Sequence, residues 1–228
     1  GMNIGMASLL CIQDLILDSR SPALSLELAP GQQVRCIVAD DQQLTQLLRL
    51  CTGMDLPENG TILLDGNDTA QLSRQQLLGL RQQIGIVSAS GGLIANLKLW
   101  ENITLPICYR QGSVTDQAEQ QALALLDGFG YCGNLLALPG HLSAFERRMA
   151  AFIRAAIAAP RLMLYAGCFD NLTNDQRRLL FDQALLLHRS VPGLASLFLT
   201  TSSKALNELQ PDCSYDLKSN TQPVARSA

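Results

Sequence analysis

Few side chains in this sequence are spaced so that they could do chemistry together. Seven cysteines, at positions 11, 36, 51, 108, 132, 168 and 213, are spread along the chain, and no pair has the C-x-x-C spacing of a zinc or redox site. The two histidines, His141 and His188, cluster neither with each other nor with a cysteine. They therefore predict packing or surface roles rather than metal ligation or proton transfer. An odd number of scattered thiols predicts buried, reduced cysteines of a cytosolic protein and no disulfide framework. The acids are more suggestive. Asp40 and Asp41 stand side by side just ahead of a helical pattern, and Asp170 follows an apolar run. Ser143 and Glu146 have the S-x-x-E spacing of a helix capping box.

The elements that must position these groups alternate between two periods. Residues 9–28 hold two short apolar runs separated by Ser19, Ser21 and Pro22, which predicts two strands. Val34 to Val38 predicts a buried strand, and Leu44, Leu47, Leu48 and Cys51 share one face of a helix that stops at Gly53. Further strands are predicted over 61–64, 84–88, 162–165 and 196–200, with helices beginning at Ser73, Thr115, Ser143 and Asn174. Strands alternating with helices predict an α/β sheet. A helical stretch interrupts it over 93–160, and the polar tail after Cys213 predicts a loose end. The expected organisation is residues 1–92 as an N-terminal β subdomain with the first part of the α/β core, 93–160 as a helical subdomain, 161–212 as the rest of the core and 213–228 as a polar tail.

Composition excludes several functions. At 228 residues the chain can bury a full core without metal or disulfide staples. A net charge of −3 leaves no basic surplus for general nucleic-acid binding or a polybasic membrane anchor. No apolar run approaches the ~20 residues of a membrane-spanning helix, and the start lacks the positive segment of a signal peptide. Gly1 before Met2 reads as a cloning remnant. With 47% hydrophobic and 16% charged residues, such a surface is expected to need a partner.

In this order the elements resemble the nucleotide-binding domain of ABC transporters, over residues 9–209. Six fragments carry the resemblance: Ala29-Pro30-Gly31-Gln32; Leu48-Arg49-Leu50-Cys51-Thr52-Gly53; Pro57-Glu58-Asn59-Gly60-Thr61-Ile62 with Leu64-Asp65-Gly66; Arg81-Gln82-Gln83-Ile84-Gly85-Ile86-Val87; Glu101-Asn102-Ile103-Thr104-Leu105-Pro106; and Leu142-Ser143 with Arg154-Ala155 and Pro160. The stretch from Gly92-Leu93-Ile94 to Tyr109 is faintly similar to the subclass serving lipid transport. The resemblance implies a P-loop NTPase-like α/β core with an N-terminal β subdomain and a helical insert. It also implies ATP and magnesium as the family's cofactors and a membrane permease or a second ATPase subunit as partner.

The resemblance also exposes what is missing. A phosphate-binding loop needs glycines whose backbone N–H groups face the phosphates and a lysine that reaches them. Counted back from Gly53, the glycine positions hold Val38, Asp41 and Gln43 and the lysine position holds Leu44; only a hydroxyl, Thr45, remains. No lysine precedes Lys98 and no aromatic residue precedes Trp100, so neither a shifted loop nor an adenine-stacking ring is available. Asp40 and Asp41 fall where phosphates would sit, either as a solvated loop or as a cap that fills the helix N-terminus itself. The family's glutamine loop reads Ala89, and its signature reads Leu142, Ser143, Ala144, Phe145, Glu146, with Phe145 expected to intrude on the partner's side. The family's acids at the end of the strand over 162–165 read Ala166 and Gly167, the D-loop acid reads Thr173 and the switch histidine reads Thr201; Asp170 lies too late to stand in readily for the lost acids.

These losses imply a non-catalytic homologue with no cofactor of its own. It would dock on a permease or another ABC subunit at the inner face of the membrane, pair with itself, or act as a regulatory module outside transport. A residual ATP-binding subunit is the alternative. Neither membrane insertion nor nucleic acid is expected. Leu93, Leu97, Trp100 and Tyr109 are the candidate partner contacts, with core packing as the competing role.

Overall fold

The computed structural model describes residues 8–218 and the backbone of 221–225. Gly1 and Met2 lie outside the described residues. Strand β1 (Leu10–Leu15) pairs antiparallel with β2 (Leu24–Leu28), setting Ile12 against Leu26, and on its other side with β4 (Thr61–Leu64), setting Ile12 against Ile62. In β2, buried Leu24, Leu26 and Leu28 alternate with exposed Ser25 and Glu27, the pattern of a sheet with one face in water. A two-residue strand, β5 (Asn67–Asp68), completes this four-stranded sheet.

The second sheet carries the site. Strands β3 (Gln33–Ile37), β6 (Ile84–Ser88), β7 (Leu162–Ala166) and β8 (Ala195–Thr200) run parallel in the order β3-β8-β7-β6. Every residue of β7 and β8 is buried, as expected of central parallel strands covered on both faces. Met163, Tyr165 and Phe198 point to one core, shared with α5 (Ala144–Ile157) and α6 (Asn174–Ser190). Leu162, Leu164, Leu197 and Leu199 point to the other, shared with α1 (Asp41–Cys51) and the antiparallel sheet.

Most of the α-helices start where short polar residues can take up free N–H groups. Ser73 caps α2 (Arg74–Arg81), Thr115 caps α4 (Asp116–Gly128) and Thr173 caps α6. The Ser143–Glu146 capping box forms as its spacing predicts: Glu146 N–H donates to Ser143 Oγ at 3.1 Å, and Ser143 N–H donates to Glu146 Oε2 at 2.7 Å. Helix α3 (Leu99–Gln111) holds Pro106 and packs with α4 and α5 around Ile103, Ala122 and Phe152.

Over its described residues, the tail expected to be loose after Cys213 is instead paired into the sheet. β9 (Cys213–Asp216) pairs parallel with β3, setting Val34 against Cys213 and Cys36 against Tyr215, and β10 (Thr221–Ala225) returns antiparallel beside it. Arg35 Nε donates to Ser214 Oγ at 3.0 Å and Leu217 N–H to the Ile37 carbonyl at 2.9 Å. Half-buried positions near a sheet edge tolerate the polar side chains that made this segment look unstructured.

Candidate functional site

The site begins where β3 ends. Its helix starts earlier than the apolar pattern suggests, because Asp40 is the N-cap and α1 takes in Asp41, Gln42 and Gln43. Asp40 Oδ1 accepts the Gln43 N–H at 2.9 Å and the Asp40 carbonyl accepts the Leu44 N–H at 3.0 Å. Of the two readings of the acid pair, capping holds for Asp40. Asp41 remains exposed in the first turn.

Gln43 fills the space beside this cap. It is 3% exposed. Its Oε1 accepts the Ala39 N–H at 2.9 Å, while its Nε2 donates to Asp18 Oδ2 at 2.8 Å and to Ser21 Oγ at 2.6 Å. Gln46 Nε2 adds a bond to the Leu17 carbonyl at 3.2 Å. The loop between β1 and β2 is thereby bolted to the start of α1. The Gln43 amide and the Arg20 N–H hold the Asp18 carboxyl down at about 2.

Beside this bolted turn lies a cavity of about 1000 Å³, walled by Asp41, Leu44, Thr45, Ala89, Gly167, Asp170 and Thr201 among others. The C-terminal ends of the parallel strands converge on it. Ala89 N–H donates to the Ala166 carbonyl at 3.1 Å and Gly167 N–H to the Leu199 carbonyl at 2.9 Å. Gly167 has φ +65°, and a Cβ there would lie 3.4 Å from Leu44 Cδ1, 3.6 Å from Asp170 Oδ2 and 3.8 Å from Ala89 Cβ. Leu44, Ala89 and Asp170 therefore meet at one point. Asp170 accepts the Thr200 hydroxyl at 3.2 Å. Burial pushes its carboxyl up, Thr200 and Arg148 pull it down, and Asp41 adds a further push.

The wall offers two carboxylates, several hydroxyls, the exposed ammonium of Lys204 and an apolar floor. Its arginines are already engaged. Arg148, 5% exposed, donates to the carbonyls of Ala89, Cys168 and Asp170, and Arg177 to those of Phe169 and Leu172. Among the described residues, no group of three or more His, Cys, Asp or Glu could hold a metal ion.

Residues 45–169 match the family described as ABC transporter. Over 169 residues the chain is 30% identical to the lipoprotein-releasing system ATP-binding protein LolD of Coxiella burnetii, spanning 74% of this chain and 72% of that protein. The chain belongs to the ABC transporter family. It is also 32% identical over 121 residues to the intermembrane phospholipid transport system ATP-binding protein MlaF of Haemophilus influenzae, 53% of this chain and 46% of that protein. Its fold superposes on the dimeric ATP-binding cassette MJ0796, solved in a post-hydrolysis state with ADP and Pi, with a TM-score of 0.80 over 96% of this chain and 100% of that one, at 17% identity.

Within the ABC fold, the positions singled out by motif divide into three groups. Asp41, Leu44, Thr45, Ala89, Ala166, Gly167 and Thr201 come together in the cavity wall. Val38, Asp40 and Gln43 do not line it: Val38 and Gln43 are buried, and exposed Asp40 caps α1. Leu142 to Glu146 do not line the cavity; they form the capped start of α5. Phe145 does not stand free as an intruding ring. It is half-buried and meets Phe129 edge-on at 6.2 Å, because apolar area in reach of the helical core is drawn into it. His141 is exposed, and His188 ties Ser196 to the Gly31 carbonyl. Asp170, set aside on spacing alone, lies at the centre of the wall because Arg148 and Thr200 draw the loop after β7 back over Gly167.

The candidate partner contacts are partly used at home. Leu93 and Trp100 pack against the helical core and Leu97 is half-buried, whereas Tyr109 is 82% exposed. The sequence pattern missed their neighbours. Leu99 N–H donates to the Ala137 carbonyl at 2.8 Å and Trp100 N–H to the Leu135 carbonyl at 3.0 Å, which brings exposed Leu136 and Leu138 beside the start of α3. Buried Asn102 bonds both backbone groups of exposed Ile94 and the Leu97 carbonyl, fixing that loop. A run of Leu-Leu-Ala-Leu over 135–138, too apolar for a free loop, was the available signal.

Proposed function

We propose that this chain is a non-catalytic ABC ATP-binding-subunit homologue, with a membrane permease or a second ABC subunit as its partner at the cytoplasmic face of a membrane. The observation that carries the reading is the start of α1. The N–H groups of Ala39 and Gln43 are taken by Gln43 and Asp40 of the chain itself, and Leu44 stands where a phosphate-binding lysine would be. An ATP phosphate brought to that turn would meet Asp40 and Asp41 in place of free donors, and the ammonium on the cavity wall, Lys204, comes from the segment after β8, so the turn itself does not fit nucleotide and magnesium. Strands, caps and core are kept while the phosphate chemistry is gone, which supports a fold used for contact. The surface of Ile94, Leu97, Trp100, Leu136 and Leu138 is the proposed contact. LolD and MlaF, by name the ATP-binding proteins of a lipoprotein-releasing and a phospholipid transport system, support a lipid-handling permease as the partner class. No helix among the described residues is long and apolar enough to cross a membrane, so attachment would run through that partner.

Thermal unfolding with and without millimolar Mg-ATP tests the reading, with ADP and sulfate as controls. A ligand at 100 times its dissociation constant adds about 2.7 kcal/mol, readable as several degrees. No shift is expected. An ATP-specific shift overturns the reading and puts a nucleotide-binding switch in its place.

A further inference from the structure

Arg148 joins parts of the chain that are far apart in sequence. From the first turns of α5 its Nε donates to the Ala89 carbonyl at 2.8 Å, in the loop after β6. Its Nη1 donates to the carbonyls of Cys168 and Asp170, at 2.8 and 2.6 Å, in the loop after β7. The guanidinium is almost fully buried, and its hydrogen bonds all go to backbone oxygen. A planar fork with fixed donor directions suits such bridging; a lysine ammonium on its flexible stem does not. Six residues on, Arg154 donates to the carbonyls of Gly92 and Gly91, at 3.0 and 3.1 Å. The loop after β6 is also pressed onto α5: a Cβ on Gly91 would come within 2.6 Å of the Arg147 carbonyl oxygen, and the φ of +80° there favours glycine. Asp170 continues the connection through Thr200 to the end of β8.

We propose that Arg148 is a ligand-independent pin. It holds α5, and with it the helices of the contact surface, to the ends of β6 and β7 as one rigid body. In a site that worked by filling, a bound ligand would draw these loops together and its loss would release them. Here a buried side chain supplies the connection permanently. The purpose of the pin, a partner surface held in one pose, rests on the non-catalytic reading; its existence does not.

Hydrogen exchange read by mass spectrometry, on the full chain with no nucleotide or partner, tests it. The N–H groups of Ala89, Gly91, Gly167 and Asp170 all donate to backbone oxygen and report on the two loops. Strong protection is expected in the native chain. In Arg148→Met, exchange at 89–92 and 167–171 should accelerate by about tenfold or more while β3 and β8 stay protected. Arg148→Lys, which restores charge but not the fork, should leave at least one of the two loops fast. Arg154→Gln should loosen 91–92 alone, as a control, and Arg148→Lys keeps the test open if Arg148→Met does not fold. Native-like protection in Arg148→Met, or loosening spread evenly over the sheet, would overturn the pin. Neither result bears on whether ATP shifts the unfolding temperature, so the two readings fail separately.

Discussion

Asp18 and Gln43, from different sheets' connections, are joined by a hydrogen bond of 2.8 Å from a buried amide to a carboxylate in the loop between β1 and β2. That bond ties an outer loop to the turn at which the central sheet meets α1. The same glutamine satisfies the Ala39 N–H and the Ser21 hydroxyl, so one side chain organises the whole turn.

Gln43→Ala is therefore expected to destabilise the fold by about 1–3 kcal/mol, since it strands buried polar groups. Asp40→Ala should cost about 0.5–2 kcal/mol as a lost cap. Asp41→Ala, with no capping bond to lose, should stay within about 0.5 kcal/mol. Urea unfolding of the three variants distinguishes them. Equal effects at 40 and 41 would contradict the capping geometry.

Asp170 gives a prediction in pH. Its carboxyl is raised by burial, so the folded chain holds that proton longer than the unfolded chain does. Stability then falls as pH rises from the ordinary value of 3.8 through the folded value, and stays lower above it. Asp170→Asn should raise the unfolding temperature at pH 7 by about 2 °C, a modest figure because solvent screens the half-exposed group. The gain should vanish in acid, below the ordinary carboxylate range. A loss at pH 7 would show that the charge is favoured where it stands.

His188 runs the other way. Its Nε2 faces the Gly31 carbonyl at 3.1 Å and its Nδ1 faces Ser196 Oγ at 2.9 Å. Burial lowers its affinity for a proton, with Arg189 adding to that effect while Gly31 and Asp212 oppose it. The stability it contributes is complete above the ordinary value of 6.5 and is lost as pH falls through that value and the lower folded one. Unfolding temperatures measured from pH 7.5 to 5 should fall less steeply in His188→Gln than in the native chain.

Tyr165 lies inside the core, stacked on Phe198 at 4.7 Å, and among the described residues its hydroxyl has no hydrogen-bond partner. Tyr165→Phe removes a buried polar group without changing the ring. It should stabilise the chain by about 1 kcal/mol. Loss of stability in a denaturant titration would point to a bound water bridging that oxygen.

Much of the fold was legible because it rests on local rules. Short apolar runs bounded by turn residues gave β1 and β2, continuous apolar runs gave β7 and β8, and Ser73, Thr115 and Ser143 marked helix starts through bonds that span three residues. The motif positions that meet in the cavity came from the family resemblance, counted from its landmarks. The contacts that shape the site were not, because they act across the chain. Gln43 reaches Asp18 over 25 residues and Arg148 reaches Ala89 over 59. Arg148 did leave a trace, as a cation on the apolar face of a helix that also buries Met149 and Phe152, a position that needs a buried acceptor. β9 was missed because its partners, β3 and β10, include a strand about 180 residues earlier; Val34 pairs with Cys213.

The bolted turn at α1 sets what substitution there would cost. Putting lysine at position 44 would bury an ammonium beside Gly167, in space that Leu44 now fills, while Gln43 and Asp40 still occupied the neighbouring donors. Clearing those donors first would remove a cap and a buried amide network before any phosphate could repay the loss. Each single substitution toward a lysine-bearing loop is therefore expected to lower stability. Positions 40, 43 and 44 behave as an interlock, and a substitution scan read by stability is expected to find them less tolerant than their exposed neighbours Asp41 and Gln42.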